Sequence, residues 1–408
     1  MKTRCLAVLV ALCALLTAAT SATAAPYQIT GTTETKTGNL VRTDFLVQAG
    51  ANPLDRFRMT RVAKDIPAAQ LQGSILLLPP LGLSFAGFYE QRDPSGAPGT
   101  SIAEFFALRN FDVFGYSPRF EGIPSGTCEA GILDCSVMAA WDLQSMVDDI
   151  AFVRSQIELL HPGTKVVTGG ASLGGILAVA VANAAPEDYD GIVPWEGMLF
   201  SNDPQVRALN QGYCATLEAQ LAANLFFDSA GTSVFKQVVK QSELVPHGPN
   251  LIPLFPPTLT GHELMVALVS QPSPGPASMP VPSYIQMNGS VAENRLFYAD
   301  ERRIYDNVES FLNYVPTSLV RDISCSLAGT ETDYTANLGN YEGAVLMIGG
   351  GRAFGPYMGD QLALFGGTDK VIRLQPDFGH IDHFMTRWHR AYVERPIYQW
   401  ARRIFRQP

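Results

Sequence analysis

Beyond its first 24 residues the sequence lacks any uninterrupted apolar run of the ~18 residues that a membrane-spanning helix needs. It has no long run of one charge sign, and its formal net charge of −9 disfavours nucleic acid and anionic membranes as partners. It has no C-x-x-C spacing, which argues against a zinc site, and no internal repeats. A hydrophobic fraction of 47% against 16% charged residues instead predicts a large buried core.

The first 24 residues have the features of a signal peptide. The first four residues carry two positive charges, an apolar stretch follows from about Leu6 to Leu16, and an A-x-A cleavage pattern ends at Ala24. The apolar stretch is too short for a stop-transfer helix. We therefore predict cleavage near Ala24 and Ala25 and a secreted or periplasmic protein without a transmembrane segment.

Four of the six cysteines remain after removal of residues 1–24. An even number of cysteines in an oxidising compartment is typical of disulfide bonds. Cys128 and Cys135 are close in sequence within a loop rich in glycine and proline, which favours a local bridge. This pairing leaves Cys214 to bond with Cys325.

Strands and helices alternate in two parts of the chain. Apolar runs typical of buried strands stand between helical patterns, and three β-prone runs between residues 27 and 64 predict antiparallel strands at a sheet edge. The buried strands are predicted at 74–78, 111–116, 165–170, 191–195, 344–350 and 370–374. Alternation of this kind implies right-handed crossovers and a mostly parallel sheet with helices on both faces.

The alternation stops between about residues 197 and 341. This stretch has helical patterns separated by loops, one of which, at 271–282, is rich in proline. The helices are predicted at 206–226, 259–270 and 307–327. We predict that 25–196 and 342–408 form one core and that 197–341 is a largely helical cap inserted between two of its strands. The apolar side chains of the insertion fit a cap over a pocket and also fit ordinary helix packing, which accounts for most of them.

The pentapeptide at 170–174 matches G-x-S-x-G, with an apolar strand before it and a helix after it. A turn that lifts a serine hydroxyl clear of the sheet crowds its neighbours, so glycines flank the serine two residues away on each side. The backbone N–H of Leu173, at the start of the helix, then points to an oxyanion forming beside Ser172. The motif predicts Ser172 as a nucleophile.

A serine hydroxyl is a weak nucleophile without a base, and His380 is the histidine best placed to serve. It follows the last predicted strand on the loop at its carboxyl end, which is the edge where Ser172 stands. Of the other histidines, His161 precedes a strand, and His247 and His262 lie in the insertion. His389 lies in the C-terminal helical region, and His383 stands three residues after His380. We predict that His383 is structural and that Asp382 braces the loop. A metal site formed by Asp377, His380, Asp382 and His383 is the weaker alternative, because no further ligand is indicated.

These motifs resemble those of the α/β-hydrolase family over residues 70–195 and 344–405. The segment at 75–82 resembles the family's strand and oxyanion loop, with Pro79-Pro80 where His-Gly is commoner. The next strand and its loop resemble segment 108–119 of this sequence. The nucleophile turn of the family resembles segment 170–174, and its histidine loop resembles segment 379–382. The resemblance implies an α/β-hydrolase fold with a mostly parallel central sheet and a helical cap. It also implies the Leu81 N–H as second oxyanion donor, since a backbone donor does not depend on the side chain.

The acid of the triad departs from the family's usual pattern. Its common place follows the strand at 345–348, where this sequence has three glycines and no carboxylate. Some lipases carry the acid one strand earlier, and here Glu196 ends that strand, where it could orient the His380 imidazole. Asp360 is the second candidate, within a predicted helix, and a site without an acid is the third possibility.

Together these features predict a secreted serine hydrolase that cleaves carboxylic esters through an acyl-enzyme. The substrate is expected to be a small-molecule or lipid-like ester, and neither a cofactor nor a metal is implied. A peptidase or amidase would use the same triad. A non-catalytic binding protein that retained the fold is a further alternative, favoured slightly by the unusual position of the acid. The sequence makes no prediction of oligomeric state.

Overall fold

The structure, a computed structural model, describes residues 27–93, 95–270 and 287–407. The predicted signal peptide and the proline-rich stretch at 271–282 lie outside these residues. None of the helices in the described ranges combines the length and apolar character that a bilayer crossing demands.

A nine-stranded sheet forms the centre of the molecule, as the strand-helix alternation predicts. Its strands, in chain order, are β1 (Gln28–Thr37), β2 (Leu40–Gln48), β3 (Arg56–Lys64), β4 (Ser74–Leu78), β5 (Asp112–Ser117), β6 (Val166–Ala171), β7 (Gly191–Trp195), β8 (Ala344–Gly350) and β9 (Lys370–Gln375). Their spatial order is β1-β2-β3-β5-β4-β6-β7-β8-β9. The neighbouring pairs β1–β2, β2–β3 and β3–β5 are antiparallel, whereas all later neighbours are parallel.

Helices cover both faces of this sheet. In chain order the helices are α1 (Phe85–Tyr89), α2 (Ile102–Ala107), α3 (Leu143–Leu160), α4 (Leu173–Ala184), α5 (Pro204–Ala222), α6 (Ala230–Leu244), α7 (Gly261–Ser270), α8 (Glu301–Asn307), α9 (Thr317–Ala328), α10 (Met358–Leu364), α11 (Asp382–Met385) and α12 (Arg395–Arg406). Side chains of β4 alternate between two hydrophobic clusters, as the two-residue period of a strand requires. One cluster includes α3, α4 and α10, and the other includes α1, α2 and α12.

The carboxyl ends of the central parallel strands lie together. Leu78 pairs with Gly170, Ala171 pairs with Trp195, and Trp195 pairs with Ile348. The residues that follow β4, β6, β7 and β8 therefore emerge at one edge of the sheet. This register brings Ser172 and Glu196, each the first residue after its strand, to neighbouring positions.

The described residues of 197–341 add no strand to the central sheet. They contain α5 to α9, and α6, α7 and α8 share a hydrophobic cluster of their own. The sequence patterns missed α6, whose first turn contains glycine, threonine and serine, all weak helix formers. The helix predicted over 307–327 is confirmed from Thr317 onward and is wrong for the residues before it. Pro316 disfavours a helical conformation at the residue before it, so α9 starts afresh at Thr317. The boundaries of the predicted cap stay a prediction.

Both predicted cysteine pairs are disulfide-bonded. Cys214 in α5 bonds to Cys325 in α9 across a sequence separation of 111 residues. Cys128 bonds to Cys135 across only 7 residues. The long-range bond therefore joins two helices of the predicted insertion, whereas the short one closes a single loop.

The two bonds are expected to differ in their contribution to stability. In the chain-entropy description, a disulfide stabilises by restricting the unfolded chain, and the effect grows with the length of the closed loop. We expect Cys214→Ser/Cys325→Ser to lower the free energy of unfolding by roughly 2 kcal/mol more than Cys128→Ser/Cys135→Ser. Thermal unfolding of the two double variants under identical conditions measures this difference. Equal melting temperatures would contradict the expectation.

Candidate active site

A sharp turn between β6 and α4 carries Ser172. The backbone of Ser172 has φ +54° and ψ −115°, a conformation that L-residues rarely adopt. A Cβ atom at Gly170 or at Gly174 would meet the carbonyl oxygen of Leu78 well inside van der Waals contact. The Ser172 N–H is fixed by a 2.7 Å hydrogen bond to the Trp195 carbonyl. Glycine is thus required on both sides of the serine because the end of β4 lies directly against the turn.

His380 stands on the loop that follows β9. Its Nε2 atom lies 2.9 Å from the Ser172 hydroxyl oxygen, at hydrogen-bond distance. His380 is 8% exposed, and its imidazole packs edge-on against the Phe354 ring, with 5.0 Å between the ring centroids. The ring is therefore held in one orientation with its Nε2 atom toward the serine.

Glu196 occupies the other side of the imidazole. Its Oε2 atom lies 2.9 Å from His380 Nδ1, and its Oε1 atom accepts a hydrogen bond from the Gly350 N–H. The residue has φ +53° directly after β7, and its side chain is fully buried. Burial raises the pKa of Glu196, whereas the His380 contact and backbone hydrogen bonds from Gly350 and Phe354 act in the opposite direction. Because the second oxygen is bonded to backbone, the carboxylate is fixed with respect to the imidazole.

Asp360, the second candidate for the acid, lies in α10 and contacts a different part of the chain. Its Oδ2 atom accepts a 2.7 Å hydrogen bond from the Asn202 N–H. The glycines that end β8 explain why no carboxylate stands at the commoner position. A Cβ atom at Gly350 would meet the Phe378 carbonyl, and one at Gly351 would meet the Pro376 carbonyl. The backbone of the histidine loop fills the space that an acid would need.

The two residues proposed from sequence as oxyanion donors line a cavity together with Ser172. Leu173 is the first residue of α4, so its N–H belongs to the first turn, where amide groups have no partner within the helix. Leu81 lies in a turn after β4 that is closed by a 3.2 Å hydrogen bond from the Leu83 N–H to the Pro80 carbonyl. This turn is also joined to the predicted cap, since the Leu312 N–H donates to the Gly82 carbonyl at 2.7 Å.

Two cavities open onto Ser172 and His380. The first, here called cavity A, has a volume of about 340 Å³ and is lined mainly by apolar side chains, among them Phe235, Phe311 and Phe384. The second, cavity B, has a volume of about 540 Å³ and is also largely apolar, with a few polar side chains. Each volume is within the range typical of small-molecule sites. Both cavities are bordered by side chains of the sheet edge and of residues 197–341.

No protein-family model and no curated protein sequence matches the chain. Among solved structures, a presumed lipase from Sulfolobus solfataricus is similar with a TM-score of 0.60, covering 92% of this chain and 99% of its own, at 14% identity. A soluble variant of monoglyceride lipase from Saccharomyces cerevisiae is similar with a TM-score of 0.50, covering 93% and 99%, at 12% identity. The chain has the α/β-hydrolase fold. At such identities the similarity concerns the fold alone.

Tyr89 is part of the site's framework in this α/β-hydrolase fold, and no sequence pattern indicated it. Its buried hydroxyl donates to the Leu78 carbonyl at 2.6 Å and accepts from the Ala171 N–H at 3.2 Å. It thereby joins the end of β4 to the residue before Ser172. The contact spans more than eighty residues of sequence, and the short helix α1 has no motif of its own. Only the three-dimensional packing identifies this role.

Asp382 and His383 lie beneath the histidine loop and do not contact Ser172. Asp382 Oδ2 accepts from the Gly379 N–H at 2.7 Å and from the Asn288 N–H at 2.9 Å, so it joins the loop to residues beyond 271–286. Burial raises the pKa of Asp382 to about 7 and lowers the pKa of His383 to about 3. His383 is therefore neutral at pH 7 and packs between aromatic rings.

Within the described ranges, the one group of side chains spaced to hold a metal ion is Cys214, Glu218 and Cys325. Its two cysteines are bonded to each other, which removes them as thiolate ligands. The alternative metal site predicted from sequence, formed by Asp377, His380, Asp382 and His383, is not a group of this kind.

Replacement of Asp382 by asparagine is expected to change how stability depends on pH. Because its pKa rises to about 7 on folding, the folded state retains a proton that the unfolded chain releases near pH 4. The contribution of this carboxyl to stability is thus complete below about pH 4 and is lost as the pH rises through 7. We expect Asp382→Asn to gain roughly 2–4 kcal/mol relative to wild type between pH 4 and pH 8.

Thermal or urea unfolding at several pH values measures this difference. Asp377→Asn, at an exposed position five residues away, is the control and should run parallel to wild type. A constant difference between Asp382→Asn and wild type across the range would show that Asp382 does not titrate there.

Proposed function

We propose that the protein is a serine hydrolase that cleaves carboxylic esters, with Ser172 as nucleophile, His380 as base and Glu196 as acid. The observation that carries the proposal is the pair of 2.9 Å contacts that link Ser172 Oγ to His380 Nε2 and His380 Nδ1 to Glu196 Oε2. Such an arrangement supplies a base for the nucleophile and a fixed orientation for the base.

In the proposed reaction Ser172 Oγ attacks the ester carbonyl carbon and transfers its proton to His380 Nε2. Glu196 stabilises the resulting imidazolium by accepting a hydrogen bond from Nδ1–H. The N–H groups of Leu81 and Leu173 donate to the oxyanion of the tetrahedral intermediate. His380 then gives its proton to the leaving alcohol oxygen as the C–O bond breaks. A water molecule, deprotonated by His380, attacks the carbonyl carbon of the acyl-enzyme. His380 then returns this proton to Ser172 Oγ as the bond between Oγ and the acyl carbon breaks, which releases the carboxylic acid.

Ester hydrolysis is favoured over amide hydrolysis by the surroundings of the site. Cavities A and B are lined mostly by apolar side chains, which suit the hydrocarbon parts of lipid-like esters and offer few partners to a peptide backbone. The two similar structures reported above are named as lipases. We propose further that residues 197–341 act as a cap, since they form part of the wall of each cavity.

We also propose that the protein is exported, to the periplasm or beyond the cell. Two disulfide bonds in the described residues support this proposal, because such bonds persist in oxidising compartments. The A-x-A pattern that ends at Ala24 supports the same conclusion from sequence.

A fluorophosphonate probe tests the nucleophile directly. We expect wild type to become covalently labelled and Ser172→Ala to remain unlabelled, because the probe phosphonylates an activated serine. Gel fluorescence and mass spectrometry of the labelled peptide measure the result. An unlabelled wild type, or equal labelling of Ser172→Ala, would refute the proposed function and favour a binding protein. Parallel assays of p-nitrophenyl esters and aminoacyl anilides then separate an esterase from an amidase.

Replacement of Glu196 by glutamine tests the acid. The amide cannot stabilise the imidazolium, so we expect kcat/KM for a p-nitrophenyl ester to fall by roughly 10²–10⁴-fold. Glu394→Gln is a matched control, because Glu394 is also fully buried and lies 2.8 Å from a histidine Nδ1 atom, that of His389, outside the site. Near-normal activity of Glu196→Gln, or an equal loss in both variants, would remove Glu196 from the triad.

A further inference from the structure

We propose that cavities A and B receive the two halves of one ester, so that the substrate carries a bulky apolar group on both its acyl and its alcohol side. This inference rests on the proposed function and specifies its substrate class. It follows from three features of the site: a ribbon that divides the space above Ser172, contacts that hold the ribbon, and the apolar lining on each side.

The dividing element is a two-stranded ribbon in which Phe227–Asp228 pairs antiparallel with Val315–Pro316. Val315 borders both cavities, whereas Phe227 borders only cavity B. The segment after the ribbon's first strand begins α6, and its residue Thr232 borders cavity A. The ribbon therefore lies between the cavities, which meet at Ser172 and His380.

Side-chain contacts fix the ribbon to the loop closed by the Cys128–Cys135 disulfide. The Tyr314 hydroxyl, next to Val315, donates to Glu129 at 2.6 Å and accepts from the Cys128 N–H at 3.3 Å. The Phe227 ring meets the Tyr314 ring edge-on at 5.2 Å. The Ser229 hydroxyl donates to the same Glu129 carboxylate. Both strands of the ribbon are thus attached to one covalently closed loop, which keeps the two cavities apart.

Each cavity is lined mainly by apolar side chains, with a few polar side chains, among them Gln220 and Asp228, in cavity B. Cavity A is walled by Leu83, Phe88, Phe235, Phe311, Phe384 and Met385. Cavity B is walled by Ile176, Leu217, Leu225, Phe227, Val320 and Ile323. Either volume alone is enough for a small organic group. An ester with one short side would leave one of these apolar cavities without substrate.

The geometry of acyl transfer requires two such directions. When Ser172 Oγ bonds to the carbonyl carbon, the oxyanion is directed to the Leu81 and Leu173 N–H groups. The acyl chain and the leaving alkoxy group then extend in the two remaining directions from the same carbon. Because both cavities begin at Ser172 and His380, one receives the acyl chain and the other the alcohol.

Two ester series measured with wild type give the first test. The first series has ethyl esters of acids from C2 to C10, and the second has acetate esters of alcohols from C2 to C10, with acid release followed by pH-stat. We expect kcat/KM to rise at least tenfold with chain length in each series. A flat dependence in either series would overturn the two-sided assignment. Absence of hydrolysis of every ester, ethyl acetate included, would instead refute the proposed function.

Tryptophan substitutions at paired positions give the second test. Thr232→Trp narrows cavity A and Thr216→Trp narrows cavity B, while their neighbours Ser233 and Ala215, which are exposed and border neither cavity, provide Ser233→Trp and Ala215→Trp as controls. We expect each cavity variant to lose the tenfold preference for long chains in one ester series and to keep it in the other. The series affected should be different for the two variants. The controls should keep both preferences.

The chain-length preference is a ratio within each variant, so a general loss of activity does not alter it. Fluorophosphonate labelling of each variant shows that the protein is folded and that Ser172 is reactive. The proposal would be overturned if both cavity variants lost the chain-length preference in the same series. It would also be overturned if cavity variants that react with the fluorophosphonate kept the preference in both series.

Discussion

The carbonyl oxygen of Leu78 is the point at which β4, the strand before the proposed oxyanion loop, meets the turn that carries Ser172. It accepts a hydrogen bond from Tyr89, and it leaves no space for a side chain at Gly170 or Gly174. This close approach has two consequences. It holds the turn in the φ > 0 conformation that raises the serine above the sheet, and it fixes where the loop through Leu81 starts. Ser172, the proposed nucleophile, and Leu81, a proposed oxyanion donor, are therefore positioned by a single backbone contact.

A second backbone contact governs the position of Glu196, the proposed acid. The histidine loop lies so close to Gly350 and Gly351 that the end of β8 has no room for a carboxylate. Glu196 directly follows the adjacent strand β7, and its carboxylate contacts the His380 imidazole and accepts a hydrogen bond from the Gly350 N–H. Gly350 and Gly351 therefore do more than replace an acid. They leave space for the histidine loop, and the Gly350 N–H orients the Glu196 carboxylate.

The sequence predicts the central sheet well because buried strands and amphipathic helices repeat with periods that can be counted directly. The residues at the strand ends could also be placed, since parallel strands bring their carboxyl ends to one edge. The insertion was harder, because α6 and the 307–316 stretch are determined by tertiary packing rather than by local preference. Tyr89 and the two cavities could not be found from sequence. Each depends on contacts between distant segments, which leave no spacing to recognise.

The bond between Cys214 and Cys325 makes the greater part of the predicted cap a covalent ring that starts and ends on adjacent helices. A protease that cuts once anywhere within this ring cannot release a fragment, because both new ends stay attached through the sulfur atoms. The ribbon beside Ser172 lies within the ring, with one strand near each cysteine. A chain cut once within the ring therefore keeps both strands of this ribbon, and with them Val315, which borders cavity A and cavity B.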